Sequence, residues 1–148
     1  MAELVRKNYN GDSMEFSESL KKNKDFQFIY RNGKSCGNRY LVMYVFNKKK
    51  QGSGKSGTAE TQGGKNTEKN RLGISVSKKV GNSVVRHRLT RLIRESYRLN
   101  EKKFVGGLDM IVIARPGAKE RNFFEIESAL LHLAKIQKIL RDDETTEH

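Results

Sequence analysis

The chain has 148 residues, 30 of them Lys or Arg against 17 Asp or Glu, for a formal charge of +13 at pH 7. With 35% apolar residues and a mean hydropathy of −0.76, it has material for one modest core and a large polar surface. No stretch approaches the ~18–20 apolar residues that span a bilayer, and the single cysteine, Cys36, excludes an intrachain disulfide and a multi-Cys zinc site.

The start, MAELVRKNYNGD, lacks the apolar run of a secretory signal, so a cytoplasmic location is expected. Residues 1–18 are polar, mixed in charge and without period, and read as a disordered arm. A single domain is expected over 19–141. It opens with LKKNKDFQFIYRNG, in which Asn23 is a candidate cap and Gly33 a candidate stop. Phe26, Ile29 and Tyr30 at i, i+3, i+4 share one face of the short helix this predicts. Such a helix needs a sheet to lean on.

Residues 34–46, KSCGNRYLVMYVF, are rich in β-branched and aromatic types and read as strand. Tyr40, Val42, Tyr44 and Phe46 alternate with Leu41, Met43 and Val45, so both faces are apolar. Residues 47–70 hold no large apolar side chain and predict a long flexible hairpin loop. Their GSGKS is not a phosphate loop: the pattern ending at Lys55 and Ser56 needs glycine where Lys49 stands, and no apolar helix follows. RLGISVS at 71–77 is a strand, with Leu72, Ile74 and Val76 on one side and Arg71, Gly73, Ser75 and Ser77 on the other.

The strongest helix is predicted over 82–99, capped by Asn82 or Ser83. Val85, Leu89, Leu92, Ile93 and Ser96 form its buried stripe. A turn at Gly106-Gly107 leads to Asp109 and the apolar run MIVIA, which suits an interior strand stopped by Arg115-Pro116-Gly117. A last amphipathic helix is expected over roughly 122–140, with Phe124, Ile126, Leu130, Leu133, Ile136 and Leu140 inward, and then an acidic tail at 142–148. The order is α, two or three strands, α, β, α: an α+β domain with a mixed sheet.

Charge concentrates in 71–98, where Arg71, Lys78, Lys79, Arg86, Arg88, Arg91, Arg94 and Arg98 face one acid, Glu95. At about 100° per residue, Arg88, Arg91, Arg94 and Arg98 share the side opposite the apolar stripe, and Arg86 flanks it. A merely solvated helix mixes signs to gain i,i+4 pairs, whereas like charges at i,i+3 repel. An external anion relieves that repulsion, and the planar guanidinium suits phosphate and base. Lys78, Lys79 and Asn82 lie before the helix, where unpaired N–H groups and the dipole favour phosphate too.

RLGISVSKKVGNSVVRHRLTRLIRES resembles the signature of the bacterial ribonuclease P protein component: a strand, Lys-Lys-x-Gly-Asn, an Arg-Asn-Arg core and a further Arg-Leu-Ile-Arg. LKKNKDFQFIYRNGKSCGNRYLVMYVF resembles the family's first helix and strand, and DMIVIARPGA its last strand, so the likeness runs over about 20–140 apart from the 47–70 loop. His87 stands where the core has Asn, and Thr90 where a Lys is usual. The resemblance implies an α-β-β-β-α-β-α sandwich with a left-handed β-α-β crossover (ribosomal protein S5 domain 2-like), the hand opposite to the general rule.

It also implies a small subunit bound to a catalytic RNA that removes the 5′ leader of precursor tRNA. The RNA carries the catalysis and the magnesium ions; the protein has no catalytic or metal residues, no cofactor of its own, no membrane partner and no small-molecule substrate. Carried over, the RNA-subunit contacts are Lys78, Lys79, Asn82, Arg86, His87, Arg88, Arg91 and Arg94. The leader contacts are Phe26, Tyr30 and Tyr44, with Arg39 and Arg71 guiding the backbone. Aromatics beside basic residues suit single-stranded bases in any case.

Two rivals differ in what they require. A general RNA-binding or ribosomal protein would share the basic helix without a leader cleft. An autonomous nuclease would need clustered carboxylates or an activated nucleophile. Asp109 and Glu95 stand alone in the sequence, His87, His132 and His148 lack ligand spacing, and Cys36 has no evident base.

Overall fold

The computed structural model describes residues 17–49 and 69–141. The expected arm through residue 16, most of the expected loop (50–68), the acidic tail and His148 lie outside the described residues. In chain order the elements are β1 Ser17–Ser19, α1 Asn23–Asn32, β2 Lys34–Gly37, β3 Leu41–Asn47, β4 Asn70–Ser75, α2 Ser83–Asn100, β5 Leu108–Ala114 and α3 Phe123–Gln137. Short 3-10 turns at Glu101–Lys103 and Pro116–Ala118 follow α2 and β5. Among the described residues no helix is long and apolar enough to cross a membrane.

One mixed sheet runs in the order β1-β4-β5-β3-β2. β5 is parallel to β4 and antiparallel to β3, with Asp109 level with Arg71 on one side and Phe46 on the other. The apolar run in β5 takes the centre because both of its faces are covered. Leu108, Met110 and Val112 join the core under α2 and α3. Ile111 and Ile113 join a second cluster under α1, with Leu20, Ile29 and Phe46. The alternation in β3 divides the same way, so the sheet lies between α1 on one face and α2 with α3 on the other.

This order corrects the hairpin expected at 47–70. β3 and β4 are separated by β5, and the connection crosses from one to the other. Asn47 and Asn70 themselves belong to strands. The hairpin lies instead between β2 and β3. Asn38 Oδ1 accepts the N–H groups of Tyr40 and Leu41 at 3.1 and 3.0 Å, folding 38–40 into a tight turn.

Residues 17–18 of the expected arm are strand. Ser17–Ser19 runs parallel to β4 at the sheet edge. It is held by a buried polar chain: Ser17 Oγ donates to Glu101 at 2.7 Å and lies 2.8 Å from the Tyr97 hydroxyl, to which Asn70 donates at 3.3 Å. Asn70 also accepts the N–H of Leu108 at 2.8 Å. Hydrogen-bonded in series, these groups are buried without the cost of an unpaired polar atom.

Three local expectations change. Asn23 is the first residue inside α1, and its cap is Lys22, which makes no side-chain capping bond. α3 starts with a capping box between Asn122 and Glu125. Its buried residues are Ile126, Ala129, Leu130, Leu133 and Ala134, whereas Phe124 and Ile136, expected inward, are 72% and 50% exposed.

Candidate nucleic-acid interface

α2 rests on the sheet through Leu89, Ile93, Ser96, Tyr97 and Asn100, with Val85 and Leu92 half-buried beside them. Its start is set by Asn82, whose side chain accepts the Val85 N–H at 3.0 Å. Lys78 and Lys79 are exposed in the turn just before it. Packing of the apolar stripe fixes the rotation of the helix and turns His87, Arg88 and Arg91 to the surface. Arg86 and Arg94 are half-buried, each with a buried Nε–H that has no hydrogen-bond partner among the described residues. Thr90 folds its hydroxyl back onto the Arg86 carbonyl at 2.9 Å.

Among the described residues Arg86, Arg88 and Arg94 form no ion pair. Arg88 donates to the backbone carbonyls of Lys119 and Arg121 at 3.4 and 2.8 Å, which orients the guanidinium without neutralising it. Arg98 is different. Its guanidinium pairs with Glu95, one turn earlier, and hydrogen bonding to that carboxylate holds it above its ordinary pKa. Arg98 therefore leaves the outward row that helical angles gave it.

The second group lies on the α1 face. Tyr30 meets Tyr44 edge to face at 5.0 Å between ring centres, and Phe26 is 6.3 Å from Tyr30. Phe26 lies directly on the backbone of β4. A Cβ on Gly73 would come within 2.6 Å of its ring, so only glycine admits the ring there. Tyr30 is 39% exposed, and Phe26 and Tyr44 are half-buried, so the rings both pack and show an edge to solvent. Partial burial pushes the Tyr30 phenol up, a hydrogen bond with Ser75 opposes this, and the neighbouring Tyr44 adds to it.

Arg71 stands beside this group but is engaged. Its Nε and one terminal nitrogen donate to Asp109 at 2.9 and 2.8 Å, and the other terminal nitrogen reaches Asp25 of α1 at 3.1 Å. Lys48 pairs with Asp109 from β3's end at 3.1 Å. Hydrogen bonding to Asp109, then the charges of Asp109 and Asp25, hold the Arg71 guanidinium above its ordinary pKa against partial burial. The fork thus ties α1, β4 and β5 together. Arg39 is not brought to the aromatic face: it is exposed in the 38–40 turn and lines a groove against α3.

With this geometry in view, comparison with known proteins decides the family. A family model described as Ribonuclease P matches residues 14–138. The chain belongs to the ribonuclease P protein family. The ribonuclease P protein component of Lachnoclostridium phytofermentans is 52% identical to it over 128 residues, covering 86% of this chain and 96% of that protein. The component of Alkaliphilus metalliredigens is 46% identical over 127 residues, covering 86% and 99%. Among solved structures, the Staphylococcus aureus RNase P protein aligns with a TM-score of 0.67 at 38% identity, covering 83% of this chain and 97% of that one. The Thermotoga maritima RNase P protein aligns with a TM-score of 0.63 at 29% identity, covering 80% and 96%.

Within this family member, sequence reasoning missed the pairing of Asp109 and of Glu95, both read as isolated. Asp109 offered one signal: a lone acid opening an apolar strand, which is seldom buried unless a cation meets it. The Ser17–Tyr97–Glu101–Asn70 chain offered none, because Ser17 and Asn70 lie far in sequence from Tyr97 and Glu101.

Proposed function

We propose that this chain is the protein subunit of a ribonuclease P ribonucleoprotein, an endoribonuclease that removes the 5′ leader of precursor tRNA in the cytoplasm. The α2 face binds the catalytic RNA through Arg86, Arg88, Arg91 and Arg94, together with His87, Lys78, Lys79 and the Asn82 turn. The rings of Phe26, Tyr30 and Tyr44 receive the single-stranded leader. The observation that carries this reading is the guanidinium row on α2, in which Arg86, Arg88 and Arg94 lack any acidic partner among the described residues. Holding that charge together favours a polyanion at the face.

The catalytic step is assigned to the RNA. Magnesium held by the RNA would supply the Lewis-acid chemistry of metal-assisted hydrolysis. Among the described residues no three His, Cys, Asp or Glu side chains converge on a point, and Asp109 is held by Arg71 and Lys48. These residues do not fit a magnesium site among the described residues. The protein's part is to hold and orient RNA. Favouring this over a general RNA-binding module is the aromatic group on the face away from α2, which a basic helix alone does not require.

The test is reconstitution. Purified protein alone should leave precursor tRNA intact, and adding a bacterial ribonuclease P RNA at low magnesium should give 5′ cleavage above that of RNA alone. Cleavage by the protein alone, or no stimulation of the RNA, would overturn the reading.

A further inference from the structure

Between the 38–40 turn and the first half of α3 lies an open groove of about 490 Å³. Phe124 projects beside it, 72% exposed, on the side of α3 that also carries Ser128 and His132, away from the buried stripe. Its ring meets Phe123 edge to face at 5.5 Å and otherwise stands largely in solvent. Tyr40 forms the facing wall, and the Arg121 guanidinium stacks over its ring at 5.5 Å. Asn38 stiffens the floor, donating to the Ala129 carbonyl at 3.1 Å and lying 3.1 Å from His132 Nδ1.

The charge open to a ligand in the groove is that of Arg39, which forms no ion pair among the described residues. Glu125 is the one acid lining it among the described residues, and both of its oxygens are occupied: Oε1 accepts the Asn122 N–H at 2.9 Å and Oε2 pairs with Arg121 at 3.3 Å. Arg39 lines the other side. Two separated rings with the Arg39 guanidinium at the rim match a base with a flanking phosphate better than an apolar peptide. The groove also continues the α2 face, because Arg88 reaches across to the carbonyls of Lys119 and Arg121.

We propose that this groove holds an unpaired base of the catalytic RNA subunit, stacked on Phe124 and Tyr40, with a flanking phosphate on Arg39. The proposal rests on reading α2 as the RNA-subunit face, of which the groove is an extension around the edge of the molecule.

The experiment uses the full chain and a bacterial ribonuclease P RNA, with Phe124→Ala, Phe124→Trp and Arg86→Ala/Arg88→Ala compared by binding titration at several salt concentrations. Phe124→Ala should weaken binding about tenfold with the salt slope unchanged, because a phenyl ring neutralises no phosphate. Phe124→Trp should retain affinity. Since Phe124 is exposed, the denaturation midpoint of both Phe124 variants should match the parent. A photoreactive phenylalanine analogue at 124 should crosslink to the RNA subunit. Unchanged affinity in Phe124→Ala with loss in the double arginine variant would overturn the groove and leave the α2 reading standing. Loss in Phe124→Ala alone would overturn the α2 reading and with it the groove as an extension of that face, and loss in neither would overturn both. Crosslinking to precursor tRNA alone, or a parent dimer that Phe124→Ala dissociates, would assign the groove to another occupant and overturn the proposal.

Discussion

Arg71 and Arg88 belong to one basic stretch of the sequence, yet the fold uses them in opposite ways. Arg71 has carboxylates on two sides, Asp109 from the neighbouring strand and Asp25 from the helix above. Arg88 has, among the described residues, only backbone carbonyls, which aim its charge without cancelling it. One guanidinium joins parts of the protein to each other, and the other meets no carboxylate among the described residues. A count of basic residues cannot separate these uses. What separates them is whether a carboxylate arrives from elsewhere in the chain.

The largest effect should come from breaking the internal side of this contrast. Asp109→Asn leaves Arg71 and Lys48 facing an uncharged amide at a site only 1% exposed. Removing one partner of a buried pair costs about 3–5 kcal/mol. Urea unfolding should show a loss in that range, and a loss below about 1 kcal/mol would mean the fork contributes little to joining α1 to the sheet.

The outward side should answer to RNA rather than to denaturant. Arg86→Ala with Arg88→Ala should reduce affinity for the RNA subunit about a hundredfold at low salt. The salt slope should fall by roughly 1 for each phosphate that the two side chains had neutralised. An unchanged slope would show that these two guanidinium groups do not meet phosphates.

The aromatic face sharpens the contrast between the two proposed RNA partners. Tyr44→Ala removes the ring that Tyr30 meets edge to face. Binding of precursor tRNA to the holoenzyme should weaken about tenfold, with mature tRNA unaffected. Equal losses on both would remove the leader role.

The smallest effect is expected at Arg98, whose charge Glu95 already balances. Arg98→Ala should change RNA-subunit affinity by less than about threefold, in keeping with a charge that no phosphate uses. A loss matching that of the double arginine variant would show that the pair opens when RNA binds.

The same contrast marks what could be read from sequence. The two-residue alternation of β3 and β4 and the stripe on α2 depend on near neighbours, and they placed Leu41, Met43, Leu72, Leu89 and Ile93 in the core. The motif from Lys78 to Arg94 was legible for the same reason. Features that depend on sheet order were not. The hairpin expected between β3 and β4 failed because β5 pairs between them. Asp109 read as isolated because its partners lie 38 and more residues earlier. Only its apolar character points Phe124 inward: at about 100° per residue it lies roughly 160° around α3 from Ile126, and Ile136 roughly 80° from Ile126, so neither sits on the buried stripe. Tyr97, fully buried, is hard to single out among the charges around it in the sequence.

Gly73 gives the α1 face a property that its rings do not. Phe26 touches bare main chain there, with no space for even one methyl group between ring and strand. Phe26 thus lets α1 sit as near the sheet as its own ring allows. Exchanging Tyr30 or Tyr44 for another aromatic would alter the edges shown to solvent and leave that spacing where the Phe26 contact sets it.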